Sequence, residues 1–113
     1  MITIYHNGTC SKCRGALEIL QEKGIPHNVR WYLAEPLSAD ELRGLLKKLN
    51  IPASQLARKG EPYFIEHLEG KELSEDEWVN ELIAHPEILQ RPIVVNGGKA
   101  IIARPPERIF EVL

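Results

Sequence analysis

The feature that most restricts the fold lies in the first thirty-three residues. The run Ile2–Tyr5 is apolar and rich in β formers, and it reads as a strand. From about Ser11 to Lys23, Cys13, Ala16, Leu17 and Leu20 recur at i, i+3, i+4 and i+7, which makes one apolar face of a helix. Gly24 suits a helix stop, and Pro26 prevents continuation. Asn28–Leu33 then reads as a second strand. Strand, helix and strand in about thirty residues form a β-α-β unit, which demands a parallel pair and a right-handed crossover.

The middle third changes character. Ser38 with Glu41, and Ser74 with Glu77, have the spacing of capping boxes. The first precedes the stripe Leu42, Leu45, Leu46 and Leu49; the second precedes Trp78, Val79, Leu82 and Ile83, with Pro86 ending that helix. Ser54–Lys59 reads as a short helix and Tyr63–Leu68 as a further helical stretch. Strand character returns in Pro92–Val95 and Lys99–Ala103, which flank Asn96-Gly97-Gly98, a hairpin signal. Pro105 and Pro106 suit a helix start, with Ile109, Phe110 and Leu113 as its apolar face. The expected organisation is one α/β domain over residues 1–113, of order β-α-β … β-β-α, with an all-helical insertion at about 36–90. Trp31, Trp78 and Phe110 are expected in the core.

Charge and composition exclude several functions. At 113 residues the length suits one core. A formal net charge of −2 gives no ground for general nucleic-acid or membrane-surface binding. No run of apolar residues is long enough to span a bilayer, and no secretory signal is visible, so the expected compartment is the cytoplasm. In that compartment two cysteines at C-x-x-C spacing point to catalysis or metal binding rather than to a structural disulfide. A zinc site needs about four ligands, and one C-x-x-C with scattered histidines does not supply them. No metal is expected.

The chemistry concentrates in His6-Asn7-Gly8-Thr9-Cys10-Ser11-Lys12-Cys13-Arg14. Cys10 falls where a strand gives way to a helix N-terminus. Unpaired first-turn N–H groups and the positive dipole end favour thiolate over thiol there, and they attract oxyanions. Lys12 and Arg14 add positive charge, although they could equally solvate the helix start. Cys10 is therefore read as the nucleophile of a redox or oxyanion-reducing site. Cys13 has two readings, a resolving thiol or a small residue of the apolar face. His6 either tunes Cys10 or closes the strand.

Three stretches taken in order, Tyr5-His6-Asn7-x-x-Cys10, Arg91-Pro92-Ile93-Val94-Val95 and Ala103-Arg104-Pro105-Pro106-Glu107, resemble the ArsC family of arsenate reductases and the related Spx-type proteins. The resemblance covers the entire chain. It implies a thioredoxin-like fold, with Cys10 as nucleophile and Arg58, Arg91 and Arg104 binding the oxyanion. It also implies that Pro92 is the cis proline facing the active cysteine. Arginine suits the task because it stays protonated and presents paired donors to tetrahedral oxygens. The implied reaction is attack by the Cys10 thiolate on arsenic, followed by reduction with a second thiol. In the family that thiol is glutathione, with glutaredoxin as reductant partner and no tightly bound cofactor.

Two positions depart from the family pattern. Gly8 stands where proline is common after the Asn, and Cys13 where many of these reductases have serine. A C-x-x-C also occurs in Spx-type regulators, so a redox-sensing regulator that binds a protein partner is one alternative. A general thiol-disulfide oxidoreductase using Cys10 and Cys13 is another.

Overall fold

The computed structural model describes residues 2–6 and 11–113, and within the first helix the side chains from Arg14 onward. The chain forms two compact units, Met1–Glu35 with Arg91–Leu113, and Pro36–Gln90.

The first unit is α/β. Strand β1 (Ile2–His6) leads to helix α1 (Ser11–Glu22) and strand β2 (His27–Trp31); β3 (Ile93–Asn96) and β4 (Lys99–Ile102) complete the sheet. The strand order is β2-β1-β3-β4. β1 and β2 run parallel, as the β-α-β reading requires, while β3 lies antiparallel to β1 and β4 antiparallel to β3. This is the thioredoxin-like β-α-β … β-β-α arrangement. Gly24 ends the α1 turn at φ +65°, a conformation a side chain would strain. Gly97 does the same in the β3–β4 hairpin at φ +61°.

One face of this sheet carries a core of Ile2, Ile4 and Val94, closed by Ala16 and Leu20 of α1 and by Ile109 of the last segment. That segment, Pro106–Glu111, is a 3-10 helix rather than an α-helix. Three residues per turn stack Ile109 under Val112, and both are buried. The expected face of Ile109, Phe110 and Leu113 does not form, and Phe110 is 49% exposed. Strand β2 also stops two residues short of the expected Leu33. The N–H groups of Ala34 and Glu35 both return to the Trp31 carbonyl, at 3.1 and 2.8 Å, and turn the chain. Trp31 at this strand end is 46% exposed, not a core residue.

The second unit has helices α2 (Ala39–Leu49), α3 (Ala53–Leu56) and α4 (Glu75–Ala84), a π-helical turn at Phe64–Leu68 and a 3-10 turn at Pro86–Ile88. Both serine caps are in place. Ser38 Oγ accepts the Glu41 N–H at 3.1 Å, and Ser74 with Glu77 forms a complete capping box. Leu42, Leu45 and Leu46 of α2 are buried, as are Trp78, Val79 and Leu82 of α4. Phe64 stacks on Trp78 with ring centroids 6.1 Å apart. The two Glu75 carboxylate oxygens accept the Ala53 N–H, each at 3.1 Å, tying the start of α4 to the start of α3. The short helix expected at Ser54–Lys59 instead ends at Leu56. Ala57 is extended and bridges Leu89, with Gln90 N–H bonded to Leu56 and Arg58 N–H to Ile88. These bonds satisfy the backbone groups that a longer helix would have used. Among the described residues no helix is long and apolar enough to cross a membrane.

Candidate active site

The described candidates of the α/β unit, His6, Arg91, Pro92 and Arg104, gather at one end of its strands. His6 is the last residue of β1 and pairs with Trp31 of β2. On the other side of β1, Tyr5 pairs with Ile93, so one further step of the same register brings Pro92 beside His6. Ala103 donates its N–H to the Pro92 carbonyl at 2.9 Å, which extends the β3–β4 ladder by one pair. Trp31, His6, Pro92 and Ala103 thus form a row across all four strands. Arg91 and Arg104 flank the Pro92–Ala103 bond, one on each strand, and both are partly buried. Each precedes a proline through a cis peptide bond, Arg91–Pro92 and Arg104–Pro105, and the first matches the position implied for the cis proline. After β4 the Arg104 N–H returns to the Ile102 carbonyl at 2.9 Å, so the chain turns at that arginine.

Three candidates fall wholly or partly beyond this description. Asn7 and Cys10 belong to residues 7–10, between the end of β1 and the start of α1, and lie outside the described residues. Cys13 is the third residue of α1; its side chain is also outside them.

His6 is 2% exposed and its imidazole stacks on Trp31, with ring centroids 4.7 Å apart. Burial and, to a smaller degree, the positive charge of Arg14 hold its pKa below the ordinary 6.5. His6 is therefore neutral at neutral pH, and one ring nitrogen is an acceptor. Sequence reasoning missed the role of Trp31 as the wall against this ring. A β-rich segment marked it as a strand residue, but nothing in it marked the partner.

Helix α1 meets the Arg104 segment at Gly15. A Cβ placed there would lie 2.8 Å from Pro106 Cγ and 3.3 Å from Pro106 Cβ. Glycine is thus what lets the Arg104-Pro105-Pro106 turn lie directly on the helix that carries Cys13.

Arg58 belongs to the helical unit and has its own surroundings. Its N–H is bonded to the Ile88 carbonyl at 2.6 Å, and its Nη1 donates to Glu61 Oε1 at 2.8 Å. The two side chains are only 25% and 22% exposed. Glu61 is a second residue that sequence reasoning missed, although the i, i+3 spacing of opposite charges was a readable signal.

Two surface clefts have none of these residues in their lining. One, of about 720 Å³, is lined by residues of the helical unit including Arg43, Lys47 and Asn50. The other, of about 500 Å³, involves Ile2 and Asn96, at the opposite end of the sheet from His6. Among the described residues no group of three or more His, Cys, Asp or Glu side chains could hold a metal ion.

Comparison with known proteins agrees with this fold. The ArsC family model matches residues 5–112. An arsenate reductase of Haemophilus influenzae is 41% identical over 99% of this chain and 98% of its own length. Escherichia coli YfgD, an uncharacterized protein, is equally similar at 41% identity, over 99% of this chain and 96% of its own length. The solved structure of an arsenate reductase from Vibrio cholerae superposes with a TM-score of 0.94 at 37% identity, covering 99% of this chain and 97% of that one. The chain belongs to the ArsC family.

Proposed function

We propose that the protein is a thiol-dependent arsenate reductase in which Cys10 is the nucleophile and Arg58, Arg91 and Arg104 bind the oxyanion. The observation that carries this reading is the pairing of full-length similarity to arsenate reductases with two arginines held at the end of the sheet where β1 finishes. Arsenate at neutral pH is a tetrahedral oxyanion, present as both the monoanion and the dianion. Guanidinium groups fixed before the reaction stabilise it without reorganising as charge shifts. The same cations lower the Cys10 pKa and raise the thiolate fraction.

The Cys10 thiolate displaces a hydroxyl from arsenic, which leaves as water after protonation, and an S–As bond forms. A second thiolate then attacks the Cys10 sulfur. The S–As bond breaks with its electron pair remaining on arsenic, As(V) becomes As(III), and the two thiols become a disulfide. Glutathione supplies the second thiol, glutaredoxin reduces the resulting mixed disulfide, and the reaction runs in the cytoplasm. No tightly bound cofactor takes part. Asn7, part of the Tyr5-His6-Asn7-x-x-Cys10 motif, is a supporting residue. Neutral, buried His6 ends β1 and is a supporting residue that tunes Cys10.

The test is arsenite production from arsenate with glutathione, with and without glutaredoxin, in the wild type and Cys13→Ser. Glutaredoxin-dependent turnover in both proteins is expected. Turnover in the wild type alone would make Cys13 the second thiol. No turnover in either, with Cys10 still reactive to iodoacetamide, would overturn the reductase reading in favour of a thiol-disulfide oxidoreductase or a redox-sensing regulator.

A further inference from the structure

We infer that Glu61 is a specificity-determining residue: its carboxylate is the resident counter-anion of Arg58 and makes the oxyanion site discriminate against ligands of higher negative charge. This rests on the reading of Arg58 as an oxyanion ligand. The 2.8 Å bond from Arg58 Nη1 to Glu61 Oε1 joins two side chains that are each about three-quarters buried. Such a pair is screened by water less than a surface pair. Both residues are also fixed by backbone. Arg58 N–H is held by the Ile88 carbonyl, and Glu61 N–H bonds to the Arg58 carbonyl at 3.3 Å. The carboxylate is therefore a lasting part of Arg58's surroundings.

A guanidinium has five N–H donors, and the Glu61 bond takes one. An anion binding on the remaining donors feels the attraction of Arg58 and the repulsion of Glu61 together. The repulsion scales with ligand charge, so a fixed carboxylate penalises a dianion twice as heavily in free energy as a monoanion. The favoured ligand class is thus a tetrahedral oxyanion of low charge, with sulfate-like dianions held off. The carboxylate also keeps the guanidinium in one orientation when no substrate is present.

The discriminating experiment is titration calorimetry of the full chain at constant ionic strength, with perrhenate as the monovalent tetrahedral probe and sulfate as the divalent one. Glu61→Gln keeps an acceptor oxygen for Arg58 and removes the charge. It is expected to tighten perrhenate by about threefold and sulfate by about tenfold, the squared ratio that a charge effect requires. Glu61→Asp keeps the charge and should hold the sulfate-to-perrhenate ratio near that of the wild type, a pattern a merely structural role would not produce. Arg58→Ala serves as the control on the underlying reading and should weaken both anions. If Arg58→Ala weakens both while Glu61→Gln leaves the ratio unchanged, the role of Glu61 is refuted and that of Arg58 stands. If Arg58→Ala leaves both affinities unchanged, the assignment of Arg58 fails and the inference fails with it.

Discussion

In the α/β unit, Arg91 and Arg104 stand on backbone that the sheet holds, next to the Pro92–Ala103 bond that closes the β3–β4 ladder. In the helical unit, Arg58 follows an extended residue and its guanidinium is held by another side chain, Glu61. The first arrangement fixes where the arginines start through the backbone of the sheet. The second fixes the guanidinium and already balances part of its charge. An arginine can thus be positioned in two ways, by the backbone of a sheet or by a partner side chain.

The largest expected difference comes from the sheet-borne pair. Arg91→Ala with Arg104→Ala removes two charge-assisted contacts and should lower kcat/KM for arsenate by about 10³-fold, whereas Arg58→Ala should lower it by only about 10-fold. Steady-state arsenite production measures both. Equal losses would dissolve the contrast between the scaffolds, and retained turnover in the double variant would remove both arginines from the site.

The next effect concerns what seats the Arg104 turn. Gly15→Val puts side-chain atoms where Pro106 packs, and overpacking of this kind costs about 1–3 kcal/mol. A lower urea midpoint together with a raised KM for arsenate is expected, because Arg104 is displaced along with its neighbours. Adding Pro106→Ala removes the nearest atom, Cγ, and should restore part of both losses. Unchanged stability in Gly15→Val would mean the contact is not close enough to matter.

In the helical unit, Ser74→Ala breaks the capping box of α4 and should cost about 1 kcal/mol. The expected signature is a lower melting temperature with KM for arsenate unaltered, the opposite pattern to Gly15→Val. A changed KM would show that the α4 cap reaches the chemistry.

The smallest effect is the pH dependence from His6. Its folded-state pKa lies below the unfolded 6.5, so the unfolded chain binds more protons in that range. Its contribution is fully present above about pH 6.5 and is lost as pH falls toward the folded pKa. Urea midpoints measured from pH 7.5 down to pH 5 should therefore decline. His6→Phe, which preserves a ring against Trp31, should flatten that limb. An unchanged slope in the variant would assign the decline to other groups.

The unequal scaffolds also explain how much could be read in the sequence. β1, α1 and the hairpin announce themselves through β-branched runs, a helical stripe and the Gly97 turn, because each signal is local and belongs to one element. Arg91 and Arg104 were marked by the prolines that follow them. The end of α3 before Arg58 was not legible, since it depends on backbone bonds made with Ile88 and Gln90, far along the chain. The 3-10 period of the last segment escaped for a related reason. Ile109, Phe110, Val112 and Leu113 satisfy either period, and only packing under β1 and α1 selects the Ile109–Val112 stripe. The exposed placement of Trp31 likewise follows from the turn after β2, not from its own residue type.

The central claim, that Cys10 is the thiol through which arsenic is reduced, is tested most directly by peptide mass spectrometry. The Cys13→Ser protein would be incubated with glutathione, with and without arsenate, in the absence of glutaredoxin. The account predicts glutathione attached to Cys10 only when arsenate is present, in step with the arsenite formed. Glutathione on Cys10 to the same extent without arsenate, or arsenite formed while Cys10 stays unmodified, would contradict it.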